Sequence, residues 1–343
     1  MNRFDYVRAG SVADAIQAIA ADPAARLIAG GTNLVDLIKY GVERPGRLVD
    51  ISRLPLDRVE ETADGGLRIG ALVANADLAH DPLVQRRYPL LAGALLAGAS
   101  PQLRNMATTG GNLMQRTRCL YFYDPAVPCN KREPGTGCPA IAGVNRNHAI
   151  LGASEHCIAT HPSDLCVALA ALEAVVLASG PDGDRRIPFA DFHRLPGDRP
   201  DIDTTLRAGE MITGVALPPC DFGPHHSYLK LRDRQSYAFA LVSVAAGLVL
   251  DGGRVVDARL ALGGVAHKPW RDPAAEALLT GGPATDDRFH AAAGHLLAAA
   301  HPRSGNGFKV ALARRAIVRA LGQAALGQAA AGTPQSPSDT RIQ

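Results

Sequence analysis

TTGGNLMQRTRCLYFYDPAVPCNKREPGTGCPAIAGVNRNHAILGASEHCIATHPSD, residues 108–164, decides how the rest of the 343-residue chain is read. A Gly-Gly turn (Thr108, Thr109, Gly110, Gly111, Asn112) opens the stretch, and His161-Pro162-Ser163-Asp164 closes it. Four of the six cysteines, Cys119, Cys129, Cys138 and Cys157, lie between them in the pattern C-x9-C-x8-C-x18-C. Arg116, Arg118, Lys131, Arg132 and Arg146 crowd the same loop with Tyr121, Phe122 and Tyr123. This local basicity points to a local anionic group.

Four cysteines gathered in a long chain without a visible export signal read as a ligand set rather than a disulfide framework. Four thiolates suit tetrahedral zinc or the corners of a [4Fe–4S] cube. The spacing lacks the CxxC knuckle of zinc ribbons and suits a loop wrapped round a larger body. The basic surroundings suit a cube with net negative charge. Zinc and an unliganded cysteine loop remain open on these residues alone. His156, beside Cys157, is either a further ligand or a neighbour.

Working outward, Ile28-Ala29-Gly30-Gly31-Thr32-Asn33-Leu34 runs from a strand into a helix through a glycine turn. Such a turn can present successive N–H groups to an anion. It is not GxGxxG, so a nicotinamide fingerprint is not supported, and an ordinary strand–helix turn is the plain alternative. Thr108–Asn112 is a second turn of the same kind, and two such nests suit a diphosphate held from two sides. Ser163 or Asp164 can cap the helix that follows; in the sharper reading Asp164 accepts from a sugar or ribityl hydroxyl. Lys230, in Tyr228-Leu229-Lys230-Leu231-Arg232, is placed to neighbour a flavin ring or is an edge-strand lysine. No Ser/His/Asp set, HExxH or P-loop is present.

The remaining sequence supplies a frame. The composition, 47% hydrophobic and 20% charged, is that of a globular chain. A net charge of +3 gives no case for a nucleic-acid partner. The longest apolar runs fall short of the ~18 residues of a membrane span. The first residues lack a signal-peptide core, so synthesis in the cytoplasm is expected, with export only alongside a signal-bearing partner. Residues 1–55 read as strand–helix–strand–helix–strand, and residues 58–72 as a hairpin about Asp64-Gly65-Gly66. Helices are expected over Leu83–Ala97 and Leu165–Glu173, and strands over Ala174–Ala178, Ile187–Phe189 and, as an edge strand, Glu210–Leu217. Pro218-Pro219 marks a boundary near Cys220. Three strands follow (Ser227–Arg232, Ala238–Leu250, Arg254–Leu262), then helices over Pro273–Leu279, Asp286–Ala300 and Gly307–Gln328. Residues 329–343 read as a disordered tail.

IAGGTNLVDLIK, PQLRNMATTGGNLMQR, HPSDLCVAL and SYAFALVSVAAGLVLDGGRVVDARLALGGVAHKPWR together resemble the FAD-binding subunits of the molybdenum hydroxylases. That family includes xanthine dehydrogenase, carbon monoxide dehydrogenase and bacterial aldehyde oxidoreductases. The likeness implies an α+β chain: a PCMH-type FAD-binding domain over 1–220, then a flavoprotein C-terminal domain over 221–328 with a three-stranded sheet and helices. The first domain would have a small subdomain, 1–55, and a larger one, 56–220, carrying the cysteine loop 113–160. Arg26, Leu27, Ile28, Ala29, Gly30, Gly31, Thr32, Asn33 and Leu34 would hold the FAD diphosphate, joined by Thr108, Gly110, Gly111 and Asn112. Asp164 would bond a flavin hydroxyl, Val215 and Lys230 would lie beside the flavin, and Arg118 would touch it. Cys119, Cys129, Cys138 and Cys157 would hold a [4Fe–4S] cluster, because the insertion between GGN and SDL resembles that of the flavin subunit of periplasmic aldehyde oxidoreductase. Hydroxybenzoyl-CoA reductase has a similar insertion. Implied partners are a large subunit with molybdenum cofactor, a small subunit with two [2Fe–2S] clusters and an external electron acceptor. Alternatives are a hydroxybenzoyl-CoA reductase-like or N-heterocycle hydroxylase flavin subunit, and, from another class, a zinc-bearing interaction module without catalysis.

Overall fold

In the computed structural model, which describes residues 2–327, the first sheet is parallel because a helix returns the chain between its strands. β1 (Asp5–Arg8), β2 (Ala25–Ile28) and β3 (Arg47–Asp50) lie in the order β1-β3-β2. Ser11 Oγ accepts the Asp14 N–H at 3.1 Å and opens the helix Val12–Ala21. Helix Leu34–Lys39 makes the second crossover, and Gly41, at φ 73°, ends it.

A five-stranded sheet of antiparallel neighbours follows, built from β4 (Val59–Glu61), β5 (Leu67–Gly70), β6 (Val175–Gly180), β7 (Gly183–Pro188) and β8 (Met211–Leu217) in the order β4-β5-β8-β6-β7. The expected edge strand is therefore central. Met211, Ile212, Thr213, Gly214 and Val215 are all buried, and β8 pairs with β5 on one side and β6 on the other. Its near-continuous apolar run is the sign of a strand covered on both faces. Residues 82–97 are two helices, Pro82–Arg87 and Pro89–Ala97, rather than one. Pro89 has no N–H to continue the first and suits the start of the second. β7 stops at Pro188, and Phe189 begins the short helix Phe189–Phe192.

The C-terminal sheet has four strands where three were expected: β9 (His226–Leu231), β10 (Val242–Asp251), β11 (Arg254–Gly263) and the two-residue β12 (Trp270–Arg271), ordered β12-β11-β10-β9. Helices Asp286–Leu296 and Phe308–Leu326 cover its face. Gln328 and the tail 329–343 lie outside the described residues. Among the described residues no helix is long and apolar enough to cross a membrane.

The cysteine loop is fastened to every part of this frame. Phe122, fully buried, packs with Leu37 of the first subdomain. Ile150 and Leu151 enter the C-terminal core, and both their N–H groups bond Val265 O. Lys131 and Arg116 hold Asp203, in the segment leading to β8.

Candidate functional site

Two glycines bring the turns together. A Cβ on Gly30 would fall 1.7 Å from Met106 O, so only glycine lets the first turn press against the chain entering Thr108. Gly31 takes φ 71°, which aims the turn into helix Leu34–Lys39. Asn33 Oδ1 then accepts the Arg116 N–H at 2.9 Å, tying the first turn to the segment just past the second.

The two turns differ in what they leave free. Among the described residues, no protein acceptor meets the backbone N–H groups of Thr32 and Asn33. In the second turn, Thr109 N bonds Val73 O, Gly110 N bonds Ala71 O, Gly111 N bonds Thr108 Oγ1 and Asn112 N bonds Thr108 O. This turn is a capped helix start, Thr109–Leu113, and not the open backbone nest expected of it. Its polar offering is side chains: Asn112 Oδ1 is held by Gln115 and Ser163, which leaves its amide N–H groups for a ligand.

Between these turns, the start of helix Asp164–Ala171 and β9 lies a cleft of about 710 Å³. That is within the ~300–1,000 Å³ usual for cofactor and ligand sites. Thr32, Asn33, Gly111, Asn112, Arg118, Asp164 and Lys230 line it. Arg26, Leu27, Ile28, Ala29, Gly30, Gly31, Leu34, Thr108 and Gly110 are not among its lining residues: Arg26–Ile28 are in β2, Ala29–Gly31 in the turn after it, Leu34 at the start of helix Leu34–Lys39, and Thr108 and Gly110 in the second turn. Val215 does not line it either. It sits in the core of the five-stranded sheet, opposite Ile69 and Val176, with its side chain buried. Arg26 donates to Pro23 O and Ala25 O.

Ser163, not Asp164, caps the helix: its Oγ accepts the Cys166 N–H at 3.0 Å. Asp164 is freed for a buried pair. Its Oδ2 lies 2.7 Å from Lys230 Nζ, and its Oδ1 accepts from Tyr228 OH at 2.7 Å. Lys230 and Arg232 both donate to Ala97 O. Burial, reinforced by Asp164, holds the Tyr228 hydroxyl well above its ordinary pKa, so it stays a donor. Arg118 bonds Asp36 and Tyr123 OH and lies over the Phe239 ring at 5.0 Å. Several cleft residues carry buried polar atoms without partners: Asn33 Nδ2, Asn75 Oδ1, Arg118 Nε and His161 Nε2. Buried polar atoms are normally satisfied, so these mark places for ligand groups. The set suits a polar, phosphate-bearing molecule such as FAD.

The four cysteines meet. Cys119, Cys129, Cys138 and Cys157 line one small cavity, with His148, His156 and Lys131 also in its wall. None of them is in a disulfide. The close approach of Cys138 and Cys157 favours one thiolate between them, lowering the Cys138 thiol and pushing Cys157 up. Burial pushes Cys119 up to about 11. Among the described residues, the one trio of His, Cys, Asp or Glu ligand atoms mutually within 4.8 Å is His161, Cys166 and His193. No three of the four loop sulfurs are that close. Tetrahedral zinc with Zn–S of ~2.3 Å needs sulfurs about 3.8 Å apart, and the four are not drawn to that spacing as a set.

Apart from Arg118, whose Nε is unpartnered in the cleft, the loop's basic residues are held by protein partners. Arg116 bonds Glu43 and Asp203, Lys131 bonds Asp203 and Pro200 O, and Arg146 bonds Asp233. Arg132 donates to the carbonyls of Tyr121, Phe122 and Val127. Burial pushes the Asp203 carboxyl up, but Lys131 and Arg116 more than offset it and hold it at about 2. The charge run clamps the loop to the domain. Only Lys131 also borders the cysteine cavity.

The sequence matches the family model described as the FAD binding domain in molybdopterin dehydrogenase over residues 2–220, and that of the CO dehydrogenase flavoprotein C-terminal domain over 227–324. This chain is a FAD-binding subunit of the molybdenum hydroxylase family. The aldehyde oxidoreductase FAD-binding subunit PaoB of Escherichia coli (strain K12) is 53% identical over 325 residues, covering 94% of this chain and 99% of that protein. The carbon monoxide dehydrogenase medium chain of Hydrogenophaga pseudoflava is 28% identical over 94% of this chain and 97% of its own. Among solved structures, a carbon monoxide dehydrogenase from that organism superposes with a TM-score of 0.74 at 28% identity, covering 94% of this chain and 97% of that one. Quinoline 2-oxidoreductase from Pseudomonas putida 86 gives 0.73 at 28% identity, covering 95% and 98%. Like these molybdenum hydroxylase relatives, the chain is part of an oxidoreductase.

Some residues in and behind the wall of this flavin subunit's cleft escape a reading of the sequence. Tyr228 shares a strand face with Lys230 and Arg232 by the two-residue period, a signal that was available. Asn75 and His148 had none, because nothing local marks a side chain whose partners lie far along the chain.

Proposed function

We propose that this chain is the FAD- and [4Fe–4S]-carrying electron-transfer subunit of a heterotrimeric molybdenum-dependent aldehyde oxidoreductase, working beside a molybdenum-cofactor subunit and a [2Fe–2S] subunit and delivering electrons to an external acceptor. One observation carries the reading: four cysteines far apart in sequence line a single cavity that adjoins the cleft. The 53% identity to an aldehyde oxidoreductase flavin subunit supports the aldehyde branch. In this reading the aldehyde is oxidised on the molybdenum-cofactor subunit, and this chain carries electrons.

Flavin suits the task because it supplies both one- and two-electron chemistry. The protein's part is to bind and orient. The free N–H groups of Thr32 and Asn33 would receive phosphate oxygens, and the Asn112 amide would reach polar groups at the opposite wall. Asp164, fixed by Lys230 and Tyr228, would accept from a hydroxyl of the cofactor chain. Lys230 would set a positive charge beside the site. Cys119, Cys129, Cys138 and Cys157 would hold the cluster.

Anaerobic purification of the co-expressed complex tests this. The expected product shows flavin absorption and a broad iron–sulphur shoulder and oxidises aldehydes with an artificial acceptor. A colourless, zinc-bearing chain without flavin overturns it. Turnover of CoA thioesters or N-heterocycles in place of aldehydes would move the assignment to another branch.

A further inference from the structure

Cys119 and His148 belong to the walls of both cavities, the space among the cysteines and the large cleft. Together they form a partition between the two. His148 Nε2 lies 3.1 Å from Cys119 Sγ. The histidine backbone is held from three sides: its N–H donates to Asn145 O, and its carbonyl accepts from Lys309 Nζ at 2.8 Å and Asn306 Nδ2 at 3.2 Å. Asn306 and Lys309 are both fully buried, so the ring's origin is fixed relative to the C-terminal helix.

The other ring nitrogen, Nδ1, is buried without a partner among the described residues. A neutral imidazole has one N–H. An orphaned acceptor is tolerated better than an orphaned donor, so the proton belongs on Nε2, where it points at sulfur. N–H···S bonds to ligating cysteines stabilise the reduced, more negative state of an iron–sulphur centre and raise its potential.

We propose that His148 is a positioning residue shared by the two cofactor sites, whose Nε2–H bond to Cys119 sulfur fixes that corner of the cysteine centre at the flavin wall and raises the centre's reduction potential. This rests on the cluster reading above. It assigns the histidine no part in substrate chemistry.

The test is a potentiometric titration of the cluster, followed by electron paramagnetic resonance, in the complete co-expressed complex carrying His148→Leu or His148→Gln. Iron and flavin contents are measured alongside. The Leu variant is expected to keep both cofactors and to titrate at a lower potential than wild type. Gln can still offer an N–H to sulfur and is expected to recover part of the shift. Should Leu fail to load iron, Gln is compared with Asn, whose shorter arm cannot reach sulfur; Asn should then titrate lower. Identical potentials in wild type and the Leu variant (or in Gln and Asn, where that pair is used) overturn the inference. So does a Gln variant displaced as far as Leu or Asn. A wild-type complex without a [4Fe–4S] signal overturns the cofactor reading itself, which separates that failure from this one.

Discussion

Lys230 Nζ stands 2.7 Å from Asp164 Oδ2 in the wall of the flavin cleft, with both side chains buried. The pair joins the start of a helix that follows the cysteine loop to a strand of the C-terminal domain, so on the proposed reading it would couple cofactor binding to the contact between the two domains. Asp164→Ala leaves an ammonium buried with one carbonyl for company. Breaking a buried pair on one side costs about 3–5 kcal/mol. The expected result is a lower unfolding midpoint and loss of flavin. Asp164→Ala/Lys230→Met together should recover much of the stability but not the flavin, as read by thermal denaturation and flavin absorbance.

Asp203 anchors the cysteine loop through Lys131 and Arg116. Asp203→Ala strands the buried Lys131 and releases Arg116 on one side, at a cost of about 3–5 kcal/mol. The damage should centre on the loop: iron content falls further than flavin content when both are assayed on the same preparation.

Gly30 and Gly135 make a matched pair. Alanine at Gly30 drives a methyl into Met106 O, whereas alanine at Gly135 meets nothing within 4 Å and suffers only from φ 88°. Gly30→Ala should cost well over the ~1 kcal/mol expected for a strained turn residue and reduce flavin retention. Gly135→Ala should leave flavin bound. Flavin release on gel filtration and unfolding midpoints distinguish them.

Burial holds several histidines below their ordinary value, among them His161, His193 and His267. Burial brings His193 down to about 4 and His267, also near Lys131, to about 3, and burial with His193 lowers His161 well below the ordinary value. Because these folded values lie under the unfolded value, the unfolded chain binds more protons as pH falls from about 6.5. Stability should therefore drop from about pH 6.5 to pH 4, by up to about 1.4 kcal/mol per pH unit for each histidine. His267→Phe should flatten that slope in denaturant titrations at a series of pH values.

Much of the frame is legible in the sequence because its signals are local. Ser11 ahead of an apolar helix face, Gly41 after the second helix, and the Asp64-Gly65-Gly66 turn each act within a few residues. What the sequence conceals is set by distant partners. β8 reads as an edge strand although its apolar run fits a covered one, because the strands that flank it, β5 and β6, come from distant parts of the chain. The second glycine turn looks like an anion nest until Val73 and Ala71 are seen to take its N–H groups. Arg116 and Lys131 suggest an anion nearby, and the anion proves to be Asp203. Asp164 and Lys230 can be singled out one by one, but their bond to each other, 66 residues apart, belongs to the fold.

The central claim is that Cys119, Cys129, Cys138 and Cys157 hold an iron–sulphur cluster beside the flavin. Elemental analysis of the purified complex, wild type against Cys129→Ser/Cys157→Ser, tests it most directly. The account predicts iron in excess of that carried by the [2Fe–2S] subunit, no stoichiometric zinc, and loss of the excess iron in the variant while the flavin stays bound. One zinc per chain, or an iron content that the double substitution leaves unchanged, would contradict it.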